Sequence, residues 1–317
     1  VTVSVILCSY NGERFIQAAV DSVLAQTSAD FELIVVDDGS TDSTPSILSH
    51  IRDPRVRSIT QHNQGAAAAL QAGLKNACGE FIAFIDQDDV WEPDKLTRHM
   101  TAHAENPTAD LTFSWFRLID FHGRLIGAQS RRVRGCVAFA DLLEDFVIAG
   151  TSNVVVRRDA IERAGGIDPS IPRLYDLDLF LRIALLKTQN IQAVPYDLML
   201  YRRHRAQLTK DRRGLAGEWE LLLEKMRTLA PSAVAERESR ARSNYSRYWA
   251  RLAYEEEDYG DALTLLRRGF HYAPLYFLKD PRNWLTTAAA LSGAALPRAI
   301  HHRLERLAGL DLRRSPA

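Results

Sequence analysis

Residues 81–89, FIAFIDQDD, run from an unbroken apolar stretch directly into a cluster of acids. A mainly apolar run that ends in polar residues occurs twice more, in residues 3–11, VSVILCSYN, and residues 31–40, FELIVVDDGS. A short apolar run rich in β-branched and aromatic residues, stopped by turn formers, marks a strand buried on both faces. Between these runs lie helical patterns. Arg14 to Gln26 places Phe15, Ala18, Ala19, Val23 and Leu24 at helical spacing, and Thr41–Asp42 form the N-cap region of a helix running toward Ile51. Val56 to Ile59 reads as a third strand and Gly65 to Ala77 as an alanine-rich helix, which makes Phe81 to Ile85 the fourth strand. Strand alternating with helix over short links predicts a mostly parallel βαβ sheet. Ligands of such open sheets sit outside the carboxyl ends of the strands. Three polar clusters fall there: Ser9-Tyr10-Asn11, Asp37-Asp38-Gly39-Ser40 and Asp86-Gln87-Asp88-Asp89.

Further along, Leu111 to Ile126 is strand-like with a turn at His122-Gly123, followed by an arginine-rich loop (Arg131, Arg132, Arg134) and a helix over Phe139 to Phe146. Thr151 to Val156 reads as a strand and Arg158 to Ala164 as a short helix stopped by Gly165-Gly166. Asp176 to Lys187 reads as an amphipathic helix, and Met199 to Arg203 as a short strand. After about Gly214 only helical patterns remain, which predicts a boundary near Asp211 to Gly217. Tyr259 to Pro274 resembles half of a helical-hairpin repeat in a single copy.

The chain has 317 residues, 46% hydrophobic and 25% charged, ordinary for a globular protein. Lys+Arg and Asp+Glu both number 40, so no net field steers it toward nucleic acid. Basic pairs such as Arg212–Arg213, Arg267–Arg268 and Arg313–Arg314 gather in the second half. The three cysteines, Cys8, Cys78 and Cys136, have no paired spacing, which fits a reducing compartment and argues against structural zinc. The first residues read as a strand and not as a signal peptide, and no run reaches about 18 apolar residues. The expectation is a cytoplasmic protein.

Gathered carboxylates repel each other unless a cation compensates them. Asp86, Asp88 and Asp89 therefore read either as hard-oxygen ligands for Mg²⁺ or Mn²⁺ bridging to phosphates, or as an acidic turn capping the helix from Pro93. Asp37-Asp38 reads as an Asx turn with Gly39, or as an acceptor for the imide N–H of uracil or thymine. Tyr10 either stacks on that base or packs as an ordinary aromatic.

Taken in order, VSVILCSYNGE, FELIVVDDGSTD, NQG before an alanine-rich helix, and GEFIAFIDQDD resemble the nucleotide-binding half of family-2 glycosyltransferases of GT-A fold. GTSNVVVRRDAIERAGGID, YDLDLFLRIA and YRRHRAQLT resemble that family's acceptor half, so the likeness spans roughly residues 3 to 210. The resemblance implies an α/β protein: a Rossmann-like, mostly parallel mixed sheet in a GT-A domain over residues 1–212, with an all-helical region over 213–317. Residues 1–100 would be the nucleotide-binding half and 101–212 the acceptor half. It implies an inverting transferase that moves a sugar from a UDP- or dTDP-sugar to a hydroxyl of a growing polysaccharide or lipid-linked glycan, with Mg²⁺ or Mn²⁺. Tyr10 would stack on the base, Asp38 bind its imide N–H, and Asp86 lie near the ribose. Asp88, last acid of the DxD motif, would ligate the metal, with Asn11, Gly65 and Gln87 completing the donor loops. Arg202 and His204 match an element near the diphosphate, Arg202 as a donor contact and His204 as a further metal ligand or a phosphate contact. Asp176 would be the catalytic base, with Asp178 as its competitor.

The chain departs from the family at Cys8 (often Pro), at Leu70-Gln71 (often Arg-Asn) and at Tyr175 (usually Glu). DQDDVW with SYNGE resembles members that build bacterial surface polysaccharides, rhamnosyltransferases included. Two rival readings are a sugar nucleotidyltransferase and a non-catalytic nucleotide-sugar binder. The first needs an early GxGxR-type loop, whose place Ser9 to Gly12 occupies. In the tail, His301-His302 read as a solvated face in preference to a metal site. Trp284, Leu285 and Leu291 read as a peripheral contact with the inner membrane or as packing onto the catalytic domain.

Overall fold

The computed structural model describes residues 2–129, 132–204 and 211–307. Arg131, residues 205–209 of the YRRHRAQLT stretch, the His302 side chain and the Arg313–Arg314 pair lie outside the described residues.

The opening third alternates as the sequence predicts: β1 (Val3–Ser9), α1 (Ile16–Leu24), β2 (Phe31–Asp37), α2 (Thr44–His50), β3 (Val56–Thr60), α3 (Ala66–Asn76) and β4 (Phe81–Asp86). These four strands pair in parallel in the order β3-β2-β1-β4. Val5, Leu7, Leu33, Val35, Ala83 and Ile85 lie in one buried cluster with Ile16 and Val20 of α1. Each such side chain contributes about 1.5–3 kcal/mol on burial, and continuous apolar strands are what a sheet covered on both faces requires.

The next elements are β5 (Val90–Trp91), α4 (Lys95–Glu105), β6 (Leu111–Ile119), β7 (Leu125–Gln129), β8 (Cys136–Val137) and α5 (Phe139–Glu144). They are followed by a 3-10 turn over Thr151–Asn153, β9 (Val154–Arg157), α6 (Arg158–Arg163), α7 (Tyr175–Leu186) and β10 (Ile191–Arg202). The sheet continues β4-β9-β6-β10-β5, with β9 antiparallel to both neighbours and β6 parallel to β10. It is therefore mixed, with a parallel half. Two readings need correction. The stretch expected as a short strand at Met199–Arg203 is the end of a twelve-residue strand, whose register shifts between Val194 and Met199. Pro195 lies in that irregularity, where a missing N–H is tolerated, and it breaks the alternation on which a sequence reading depends. Residues 151–153, expected as strand, form a helical turn before β9.

The described residues fall into two compact units, one holding residues up to 142 and 147–203, the other 143–146 and 204 onward. The second unit is helical from Arg212: α8 (Arg212–Leu229), α9 (Pro231–Glu255), α10 (Tyr259–Tyr272), α11 (Pro274–Lys279), α12 (Pro281–Ala295) and α13 (Arg298–Leu307). Ala250, Ala253, Tyr254, Leu266, Phe277 and Ala290 make its core. His301 is not on a solvated face. It is buried, with Nε2 3.1 Å from the Tyr254 hydroxyl and Nδ1 3.0 Å from the Ser292 hydroxyl. Burial against two hydroxyls overrides the polarity that suggested a surface position. No helix among the described residues is long and apolar enough to cross a membrane.

Candidate active site

The parallel register brings the three polar clusters to one edge. Ser9 pairs with Asp37 and Cys8 with Asp86, so the loops leaving β1, β2 and β4 start level with one another. Strands running the same way must end on the same side, and the sheet order makes these three neighbours.

Side chains then lace the loops together. Gln87 Oε1 accepts from the Ser9 hydroxyl at 2.7 Å and the Tyr10 amide at 3.0 Å, while its Nε2 donates to Tyr10 O at 3.2 Å. Asn11 adopts φ 51°, a left-handed conformation that Asn tolerates. Its amide donates to Ser40 Oγ at 2.9 Å and its Oδ1 accepts from the Thr41 amide at 2.8 Å. The buried Asp38 carboxylate accepts from Gln61 Nε2 (2.7 Å), Gln64 N (2.9 Å) and Gly65 N (2.8 Å). Gly65 begins α3 at φ 87°, the region that favours glycine. Tyr10, 47% exposed, presents its ring at this edge.

The acids after β4 crowd one another, with the charges of Arg202 and Lys95 acting on them from nearby. Burial, then the charges of Asp88 and Asp176, pushes the Asp86 carboxyl up to about 7, against hydrogen bonds from Ser152 and Thr151. Burial and the Asp88 and Asp86 charges push Asp89 well above the usual carboxylate range. Asp89 Oδ1 accepts from the Arg202 amide at 3.1 Å, but Oδ2 is buried with no hydrogen-bond partner. Arg202, itself buried, donates from Nε to Asp88 O at 2.8 Å and from its guanidinium to Asp120 O and Phe121 O at 3.2 Å. It also lies over the Phe15 ring at 4.8 Å. Arg202 thus fixes the backbone of the acidic turn. Burial, then Asp86, raises the Cys8 thiol, so the residue in the usual proline position stays protonated.

Crowded carboxylates pushed above their ordinary range, one with an orphaned oxygen, are a donor set that a hard divalent cation fits. Among the described residues no three His, Cys, Asp or Glu converge as a ready-made cage. His204, two residues past Arg202, belongs to the second unit.

Asp176 and Asp178 occupy the first turn of α7 but face different surroundings. Asp176 is partly exposed; burial of its carboxyl pushes it up to about 6, against a 2.7 Å hydrogen bond from the Leu177 amide. Its charge acts on Asp86, and its Oδ2 would lie 3.8 Å from a Cβ added at Gly150, which leads into the turn whose Thr151 and Ser152 hydrogen-bond Asp86. Asp178 is fully buried and accepts from Arg182 Nε at 2.9 Å. Tyr175, in the usual Glu position, is buried, and its phenol is pushed well above its ordinary value by burial and then by Asp86.

Two groups of residues escape a reading of the sequence alone. Ser152 Oγ accepts from the Asp86 amide at 2.8 Å, and the Ser152 carbonyl accepts from Trp91 Nε1 at 3.0 Å. The positive φ of Gly150 (84°) leads the chain into this turn; the Gly-Thr-Ser-Asn string was the available signal. Behind the acids, Lys95, His99 and His103 share one buried face of α4. Lys95 Nζ lies 3.2 Å from His99 Nε2, and the Thr112 hydroxyl lies 2.7 Å from His99 Nδ1 and 3.1 Å from His103 Nε2. Their i, i+4 spacing was visible, but charged and imidazole side chains at that spacing ordinarily read as a wet face.

Residues 4–204 match the family model described as "Glycosyl transferase family 2". The uncharacterized glycosyltransferase alr2836 of Nostoc sp. is 33% identical to the chain, over 64% of the chain and 65% of that protein. The Escherichia coli protein WfgD, named UDP-Glc:alpha-D-GlcNAc-diphosphoundecaprenol beta-1,3-glucosyltransferase, is 30% identical over 69% of the chain and 85% of its own length. Among solved structures, residues 1–349 of S. aureus TarS in complex with UDP-GlcNAc superpose with a TM-score of 0.63 at 17% identity, covering 92% of this chain and 90% of that one. At that identity the likeness is one of fold.

Proposed function

The chain belongs to glycosyl transferase family 2, and from that premise we propose that it moves a sugar from a UDP- or dTDP-sugar to a hydroxyl of a growing polysaccharide or lipid-linked glycan, inverting the anomeric carbon. The observation that carries this reading is the level start of the loops after β1, β2 and β4, with Asp176 beside Asp86 at the same edge. The names of relatives support the substrate class: WfgD is named for a UDP-Glc donor and a diphosphoundecaprenol acceptor, and TarS has been solved with UDP-GlcNAc.

In this reading Tyr10 stacks on the base. A carboxylate offers about four acceptor positions; Asp38 uses three on donors from the loop between β3 and α3, leaving one for the imide N–H. Asn11, Gln87 and Gly65 hold the loops in place, Asp86 lies toward the ribose, and Arg202 fixes the turn that presents Asp88. Asp88, with His204 as a further ligand or phosphate contact, would hold Mg²⁺ or Mn²⁺. The cation supplies neutralisation of charge on the departing diphosphate. Asp176 takes the proton of the acceptor hydroxyl as that oxygen attacks opposite the leaving group, which inverts the centre. Asp178 is unsuited to the task because Arg182 already engages it.

The same reading places the protein in the cytoplasm, touching the inner membrane through α11 and α12. Leu275 (76% exposed), Trp284 (54%) and Leu291 (53%) support this contact. The deciding experiment titrates purified protein with UDP, dTDP and GDP in the presence of Mn²⁺ by calorimetry and assays transfer from the matching sugar donors. Binding of a pyrimidine diphosphate with turnover is expected. Absence of both abandons the proposal.

A further inference from the structure

The helical unit contains a cavity of about 290 Å³ whose walls come from α8, α9 and α10. That volume lies just under the ~300–1,000 Å³ range of small-molecule sites and accommodates a sugar ring. Trp219, Tyr245 and Trp249, buried in the wall, and the half-buried Tyr272 line it together with four arginines: Arg212, Arg213, Arg242 and Arg268.

The arginines divide into two kinds. Arg242 donates to both Glu220 carboxylate oxygens (2.8 and 2.9 Å) and to Glu238 (2.7 Å), and lies 5.4 Å from the Trp219 and Tyr272 rings alike. Arg212 pairs with Glu256, Asp258 and Asp261. These two are neutralised and held as part of the wall. Arg213 and Arg268 are exposed, and among the described residues neither has a carboxylate partner; Arg268 has only a 3.4 Å hydrogen bond to the Tyr272 hydroxyl. A second hollow continues along α10 past Arg267, Arg268 and His271. Two exposed guanidiniums without carboxylate partners among the described residues, one of them bonded to the Tyr272 hydroxyl, form with the cavity a surface for a ligand that carries anionic groups on rings with an apolar face. Arg matches carboxylate and phosphate bidentately, while Trp and Tyr present an apolar body with a polar tip.

We propose that this cavity binds an anionic saccharide, a sugar chain bearing carboxylate or phosphate groups, as a holding site for glycan separate from the donor edge. The proposal rests on the family-2 reading for its choice of glycan over nucleic acid, since arginine with aromatics also suits single-stranded RNA.

The test uses the full chain and Arg213→Ala/Arg268→Ala, two exposed positions, with thermal melting as the check that the fold is kept. Each protein is titrated with hexagalacturonate, phosphorylated maltohexaose, plain maltohexaose and hexauridylate by calorimetry, and separately with UDP and Mn²⁺. The expected result is binding of at least one anionic glycan, tenfold or more tighter than maltohexaose. The double variant should weaken it at least tenfold with UDP affinity unchanged, and salt should weaken it in the wild type. The proposal is overturned if neither anionic glycan binds, if maltohexaose binds as well, if the double variant is unaffected, or if hexauridylate is preferred. A wild type that binds anionic glycan but no nucleoside diphosphate would instead fail the donor reading and leave this site standing.

Discussion

Gln87 Oε1 lies 2.7 Å from the Ser9 hydroxyl, so one side chain at the end of β4 holds the loop that leaves β1. A Cβ added at Gly12 would lie 2.6 Å from Ser9 Oγ and closer still to Gln87 Oε1. Gly12→Ala therefore displaces Gln87, and Gln87→Ala removes its three hydrogen bonds, each worth about 1 kcal/mol. Both variants should fold with a lowered Tm and bind UDP with Mn²⁺ about tenfold more weakly. Unchanged affinity in both would show that the tie does not shape the donor loop.

Asp176→Asn should lower kcat by about 10²–10⁴, the usual contribution of a general base, and leave donor affinity within a few-fold of wild type. Asp178→Asn acts elsewhere. It leaves buried Arg182 without its carboxylate, and breaking a buried pair costs about 3–5 kcal/mol. Urea midpoints and kcat measured on both variants separate the roles; the reverse pattern would exchange the assignments.

The Asp176 carboxyl is raised to about 6 and must be ionised to accept a proton. Turnover should hold above that value and fall as pH drops through about 6, with a slope of one proton in log kcat/KM. A profile flat down to pH 4.5 would remove Asp176 from the proton transfer.

At pH 7 the Asp86 carboxyl is close to half protonated, because it is raised to about 7. A divalent cation beside it favours the ionised form, so binding of Mn²⁺ with UDP should release protons. Calorimetry in buffers of different ionisation enthalpy reads this release directly. A chelator should abolish turnover, and Asp88→Asn should shrink the difference in UDP affinity with and without Mn²⁺.

Burial lowers His103 to about 4, whereas an unfolded histidine titrates near 6.5. The unfolded state therefore binds the extra proton first. The stability contributed by keeping His103 neutral is complete above about pH 6.5 and is lost as pH falls toward about 4. Denaturant midpoints should decline across that window in the wild type and decline less in His103→Gln. An equal decline would assign the acid limb to other groups.

Much of this architecture was legible in one dimension. Strands buried on both faces have to be continuous apolar runs, so Val3–Cys8, Phe31–Val36 and Phe81–Ile85 announced themselves, and parallel direction alone sends the residues after them to one edge. Where pairing joins distant segments, the signal failed. The irregular half of β10 around Pro195 and the short strand Val90–Trp91 take their conformation from partners far away in the chain.

The string by itself determined the family, the parallel half of the sheet and the candidate acids, because these follow from local apolarity and from residue type at fixed spacing. Only tertiary packing decided what surrounds each acid. Asp176 and Asp178 are two residues apart and chemically identical, but one lies beside Asp86 and the other against Arg182. Likewise Lys95, His99, His103 and His301 were polar in the sequence and are buried in the fold. Desolvation and the identity of spatial neighbours set the charge state of such groups, and neither is a property of the order of residues along the chain.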